Sequence, residues 1–213
     1  MRATQKKTKS KIKVSGCPND CVASQARADI SVLGTWRDAI QVDQAAVAEY
    51  AAQGLDIEGL VCGYCPTKCI SYDADKKEIS IDNNECTRCM HCINSMPKAL
   101  HVGKEKGATI LMGGKATIVQ SAFLSWVVVP FMPMDKENDY EEFKELVEKV
   151  WEWWDENAKV RERLGELIYR KGMAEFLKAC DLEPIPQMVK HPRENPYYFW
   201  YPEDFEDENG GAN

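Results

Sequence analysis

No apolar run in this 213-residue chain is long enough to cross a bilayer: the stretch 122–134 is too short and is broken by two prolines. Positive charge is also in deficit. The 27 Lys and Arg stand against 34 Asp and Glu, a formal net charge of −7, which argues against a dedicated nucleic-acid binder. The charge is uneven, with Arg2, Lys6, Lys7, Lys9, Lys11 and Lys13 crowded at the start and acidic residues crowded at the end. That basic start is not followed by an apolar run, so it does not read as an export signal, and a soluble cytoplasmic protein is expected.

Cysteine, by contrast, is abundant: there are 9. A disulfide scaffold would need an oxidising compartment, and the spacing argues against one as well. Eight cysteines sit in tight groups, the pattern of metal or cluster ligation. The ninth, Cys180, follows Met173 and Phe176 at helical spacing and reads as a small buried hydrophobe.

The remaining pattern is α+β. Residues 6–14 alternate, so that Ser10, Ile12 and Val14 face one side of a strand and Lys9, Lys11 and Lys13 the other. Strands are expected at 30–33 and 39–42, then at 108–112 and 116–119 around a Gly113-Gly114 turn, with a proline-bearing connector at 130–135. Gly113-Gly114-Lys115 is readable either as a hairpin turn or as a close approach to a cofactor carboxylate. Phe143, Leu146, Val147, Val150, Trp151 and Trp154 form one helical stripe, with Trp153 beside it, and read as core or subunit interface. A second helical stretch runs through Val160, Leu164, Leu167 and Ile168 to a stop at Gly172. The tail from Pro184, rich in proline and with an aromatic run at 197–201, reads as a segment that wraps over another subunit. Four parts are expected: 1–56, a cysteine-rich unit at 57–106, 107–183, and the tail 184–213.

Within the cysteine-rich unit, Cys86-Thr87-Arg88-Cys89-Met90-His91-Cys92 is the three-cysteine run of a bacterial-type ferredoxin. The fourth cysteine of such a run is replaced here by Met96, still followed by Pro97. Upstream, Cys65-Pro66 resembles the ending of an earlier run whose other ligands are lost. Cys65, Cys86, Cys89 and Cys92 thus make one complete 4Fe–4S site. Cys62 and Cys69 are left over, either as small buried residues or as part of a second site. Zinc is the rival for the unit, since paired thiolates suit it too, but the spacing fits a ferredoxin better. His91 and His101 read as residues that do not ligate.

A second motif, Gly16-Cys17-Pro18-Asn19-Asp20-Cys21, directly follows the lysine-bearing strand. Two thiols there supply half of a cubane's ligands. Either Cys62 and Cys69 complete it, or the missing thiols lie outside the sequence. Together with the ferredoxin-type unit and the Pro192-Arg193-Glu194-Asn195-Pro196 segment, this motif resembles the alpha subunits of dissimilatory sulfite reductases, in the siroheme sulfite and nitrite reductase family. The resemblance covers nearly the whole chain, but only as the C-terminal half of such a subunit. In that family an upstream pair of cysteines completes the cluster, and none precedes Cys17. A truncated sequence with Met1 as an internal methionine is therefore expected, with Ile12, Val14 and the tryptophan helix left exposed.

The resemblance implies a fold and a chemistry. The chain would be a partial siroheme domain with an inserted 4Fe–4S ferredoxin domain, a helical segment and an extended tail. Cys17 and Cys21 would ligate the siroheme-coupled 4Fe–4S cluster, with Cys21 bridging to siroheme as axial ligand. Lys9, Lys11, Lys13 and Arg27 would bind sulfite and the siroheme carboxylates. Partners would be a beta subunit in an α2β2 assembly, a small sulfur-carrier protein and an electron donor. The competing reading is a free-standing ferredoxin-like electron-transfer protein with a single cluster and no catalytic heme.

Overall fold

Apolar and β-branched residues concentrate at 30–33 and 108–112, and both segments form strands that meet in one sheet. The structure, a computed structural model, describes residues 10–116, 122–134 and 136–185. Lys9, the strand expected at 116–119 beyond its first residue, and the tail from 186 onward lie outside the described residues.

In chain order the first half contains β1 (Ile12–Ser15), α1 (Ser24–Arg27), β2 (Ile30–Trp36), β3 (Gln41–Val42), α2 (Gln44–Ala52) and a π-helical turn (Glu58–Cys62). Then come β4 (Ile70–Asp73), β5 (Glu78–Ile81), α3 (His91–Ser95), β6 (Leu100–His101), β7 (Lys106–Met112) and β8 (Trp126–Pro133). Three helices close the described chain: α4 (Glu141–Asn157), α5 (Leu164–Lys171) and α6 (Met173–Ala179). The main sheet has the order β1-β2-β7-β8, with β1 parallel to β2 and the other pairs antiparallel.

Ile30, Val32, Ile110, Met112 and Val128 of this sheet pack against Val150, Trp153, Leu167 and Phe176 of the helices. The β2–β7 register ends with Trp36 opposite Lys106, so residues 37–105 are inserted at the end of one antiparallel pair. The insertion has its own core, in which Ile40 and Val47 pack with Ile79, Met96 and Leu100. That core therefore reaches upstream of residue 57.

Three local expectations are corrected. The proline-bearing segment 130–135 is not a connector for most of its length, since Pro130 and Pro133 belong to β8. This strand is the sheet edge, where a missing N–H is tolerated, and its pairing with β7 is irregular around Ile110. In α4, Trp153 is buried while Trp151 is half exposed, because the apolar face drifts around the helix by its last turns. The helix expected from Val160 starts only at Leu164: the Glu166 carboxylate accepts the Arg163 N–H at 2.8 Å and caps the helix there, leaving Val160 exposed. Gly172, at φ 97°, does end α5, and α6 follows at once. Cys180 is buried in the main core, and burial pushes its thiol up to about 12.

The Gly113-Gly114-Lys115 segment leads into a reversal in which Lys115 and Phe123 exchange backbone hydrogen bonds at 2.9 and 2.8 Å. Gly113 sits at φ 96° with its carbonyl against Gly165 of α5. A Cβ at Gly165 would drive into that carbonyl, so backbone must move. Gly165→Ala is expected to cost about 1–3 kcal/mol of stability. Gly16→Ala, whose Cβ would meet nothing within 4 Å, should change it by less than about 0.5 kcal/mol. Urea midpoints of both variants check the pair.

Candidate functional site

Two non-glycine residues in the left-handed region, Arg88 at φ 56° and Met90 at φ 69°, coil the segment between Cys86 and Cys92. The coil turns three thiols to one side, and Cys92 is locked into the first turn of α3. A second turn, with Lys68 at φ 55°, carries Cys65 and Cys69 to the same place. Cys65, Cys69, Cys86, Cys89 and Cys92 then line one apolar pocket floored by Ile40, Val61 and Ile70. Burial, helped by the nearby Cys86, Cys89 and Cys65, pushes the Cys92 thiol up to about 11.

Cys69 lies 3.5 Å from Cys65, sulfur to sulfur. Burial raises its thiol to about 11. Burial also works to raise Cys65, but hydrogen bonds from the Cys69 thiol and from backbone N–H groups of Cys69 and Thr67 hold it below its ordinary value. Cys62 packs beside this core, with its thiol raised by burial. Neither Cys62 nor Cys69 belongs to the Cys17–Cys21 turn. Among the described residues, no three ligating side chains converge where a single metal ion would sit. The thiols instead stand around a pocket, and that donor set fits a polynuclear cluster better than tetrahedral zinc.

Arg88 braces the pocket. Its backbone N–H donates to Cys86 Sγ at 3.4 Å, and its guanidinium reaches the Arg37 carbonyl at 2.9 Å. His91, at the rim, has Nε2 3.0 Å from the Leu60 carbonyl oxygen.

The second locus is at the end of β1. Gly34 leaves room there for the Gly16 carbonyl, and the chain turns through an Asp20 N–H to Cys17 carbonyl bond of 3.1 Å. Asp20, at φ 45°, organises the next turn of chain. Its carboxylate accepts the Ser24 N–H at 2.9 Å, the Ser24 hydroxyl at 2.6 Å and the Gln25 N–H at 3.0 Å, starting α1. Burial opposes ionisation of Asp20, but hydrogen bonds from Ser24, Gln25 and Ser15 outweigh it and lower its pKa.

Cys17 is half-buried and Cys21 exposed. Lys13 Nζ donates to the Val22 carbonyl at 3.2 Å, so this cation lies over the same turn. Lys11 immediately precedes β1, and Arg27 is in the last turn of α1. Around them Ile12, Val14 and Val22 present apolar surface, 39%, 68% and 47% exposed.

Two supports were not read from sequence. Asp29, fully buried, accepts the Lys11 N–H at 2.9 Å and Arg163 Nε at 2.7 Å. Lys115 and Glu166, the latter in the first turn of α5, form a partly buried ion pair. Asp20 had a local signal, an Asn-Asp turn just ahead of Ser24, whereas Asp29 and Arg163 are 134 residues apart and had none.

The family model described as "Nitrite and sulphite reductase 4Fe-4S domain" matches residues 4–187. The chain is similar to the "Sulfite reductase, dissimilatory-type subunit alpha" of Nitratidesulfovibrio vulgaris, 47% identical over 211 residues, covering 92% of this chain and 47% of that one. It is likewise 47% identical over 192 residues to the alpha subunit of the same description from Allochromatium vinosum, covering 89% and 46%. Among solved structures, "Crystal structure of dissimilatory sulfite reductase I (DsrI)" superposes with a TM-score of 0.77 at 44% identity, over 96% of this chain and 49% of that one. The chain thus spans about half the length of these relatives.

The Asp20 network generates a pH-dependent prediction. Because its folded-state pKa is lowered, the ionised carboxylate's contribution is fully present above the ordinary carboxylate value of about 4 and is lost as pH falls through the lowered one. Asp20→Asn is expected to cost about 1 kcal/mol near neutral pH, with the gap to wild type closing in acid. Urea unfolding of both proteins across that range measures it.

Proposed function

Because this chain belongs to the nitrite and sulphite reductase 4Fe-4S domain family, we propose that it serves as part of a dissimilatory sulfite reductase alpha subunit, in the six-electron interconversion of sulfite and sulfide. The observation that carries this reading is the Lys13 ammonium over the turn that bears Cys17 and Cys21. Two thiols on a turn with a cation over it suit a cluster-coupled heme and a small oxyanion.

When bound, siroheme coupled to a 4Fe–4S cluster would relay a donor's electrons to the substrate. On this reading Cys17 and Cys21 would hold that cluster, Cys21 would also link it to the siroheme, and two further thiols would come from elsewhere in the assembled protein. Lys9, Lys11 and Lys13 alternate along the sequence that leads through β1. With Arg27 they hold the anion and the siroheme carboxylates, and the lysines hand over protons as water leaves. Asp20 keeps the turn closed, and Asp29 holds the backbone at Lys11. Cys65, Cys86, Cys89 and Cys92 hold a second 4Fe–4S cluster in the pocket of the inserted unit, through which a donor's electrons enter. A beta subunit in an α2β2 assembly and a small sulfur-carrier protein complete the proposal, in the cytoplasm. Among the described residues no helix is long and apolar enough to cross a membrane.

Anaerobic iron, acid-labile sulfide and siroheme analysis of the complete alpha and beta complex tests the reading. Two clusters and siroheme with the alpha chain are expected; one cluster without siroheme would leave the electron-transfer reading. In the complex, Cys21→Ser is expected to lose the siroheme absorption while keeping the second cluster. Where the alpha site turns over sulfite, Lys13→Ala should lower its kcat/KM by about a hundredfold.

A further inference from the structure

The pocket of the inserted unit holds one thiol more than a cubane takes. Resting on the reading that a 4Fe–4S cluster occupies it, we propose that Cys65 and Cys69 form a ligand-exchange pair, either of which can supply the cluster's fourth thiolate.

The geometry makes the exchange short. The two sulfurs are 3.5 Å apart and both line the pocket with Cys86, Cys89 and Cys92. A change of one χ1 rotamer carries a cysteine sulfur about 3 Å, so the swap needs side-chain rotation without backbone motion. The backbone is meanwhile held at both ends. The Lys68 N–H donates to the Cys65 carbonyl at 3.2 Å, and the Asp82 N–H donates to the Cys69 carbonyl at 2.8 Å. Both cysteines are buried, so bulk water does not compete for the vacated position. Cys62 takes no part: it does not line the pocket.

The step conserves electrons. The iron bond to Cys65 sulfur breaks, the bond to Cys69 sulfur forms, and the Cys69 thiol proton passes to the departing Cys65 thiolate. No oxidant or reductant is consumed. The consequence is a cluster that survives the loss of one ligand.

The test compares Cys65→Ala, Cys69→Ala and the double variant in the intact complex, by iron and sulfide content and by EPR of the reduced clusters. The proposal expects Cys69→Ala to match wild type in content and spectrum. It expects Cys65→Ala to keep wild-type iron with shifted g-values, and the double variant to lose iron from this cluster alone. Iron loss in Cys65→Ala equal to that of the double variant overturns it. Should Cys65→Ala not fold, chelator challenge of wild type against Cys69→Ala decides: several-fold faster iron release from Cys69→Ala supports exchange, and equal rates refute it. Wild type lacking this cluster altogether would instead overturn the functional reading, and the exchange pair with it.

Discussion

One buried carboxylate ties the main sheet together. Asp29 takes a hydrogen bond from the start of β1 through the Lys11 N–H and one from Arg163 ahead of α5. Its own carbonyl accepts the Gly113 N–H at 2.8 Å, at the end of β7. Three separate parts of the chain converge on a residue with no solvent exposure. An unpaired charge there would cost several kcal/mol, so the segments bearing Lys11 and Arg163 are held together, and the carbonyl bond adds the end of β7. The position of β1 depends on it, and with β1 the orientation of Lys11, Lys13 and the Cys17–Cys21 turn.

The insertion of residues 37–105 works because it leaves that arrangement undisturbed. It departs and returns where Trp36 pairs with Lys106, so the sheet needs no gap to admit it. It also carries its own apolar core, which lets its thiols be set by local turns rather than by the main sheet. The two loci differ accordingly: one is open and cationic, and the other is buried, apolar and lined with sulfur.

Much of the clustering of thiols was legible because it is local. The Cys86–Cys92 run and the Cys17–Cys21 turn are each shorter than one loop, and covalent reach alone brings such thiols near each other. The α4 stripe was legible for the same reason, since helical period is a property of adjacent residues. Trp151 was read into the buried stripe but is half exposed, because which side of a late helical turn is covered depends on the neighbouring helices. The strand β8 was missed because its two prolines speak against a strand unless it lies at an edge, and being an edge is a fact about the sheet.

By itself, then, the sequence determined the kinds of site: clustered thiols in a ferredoxin-type run, a second thiol pair after a lysine-bearing strand, and a mixed α and β chain around them. Only the tertiary structure decided which distant groups share a site. It put Cys69 in the pocket with Cys65 and Cys86, kept Cys62 out of it, laid Lys13 over the Cys17–Cys21 turn and joined Asp29 to Arg163 across 134 residues. Spacing along a chain constrains only the few residues that a turn can bring together, whereas these pairings exist because two cores pack and leave polar groups that must find partners.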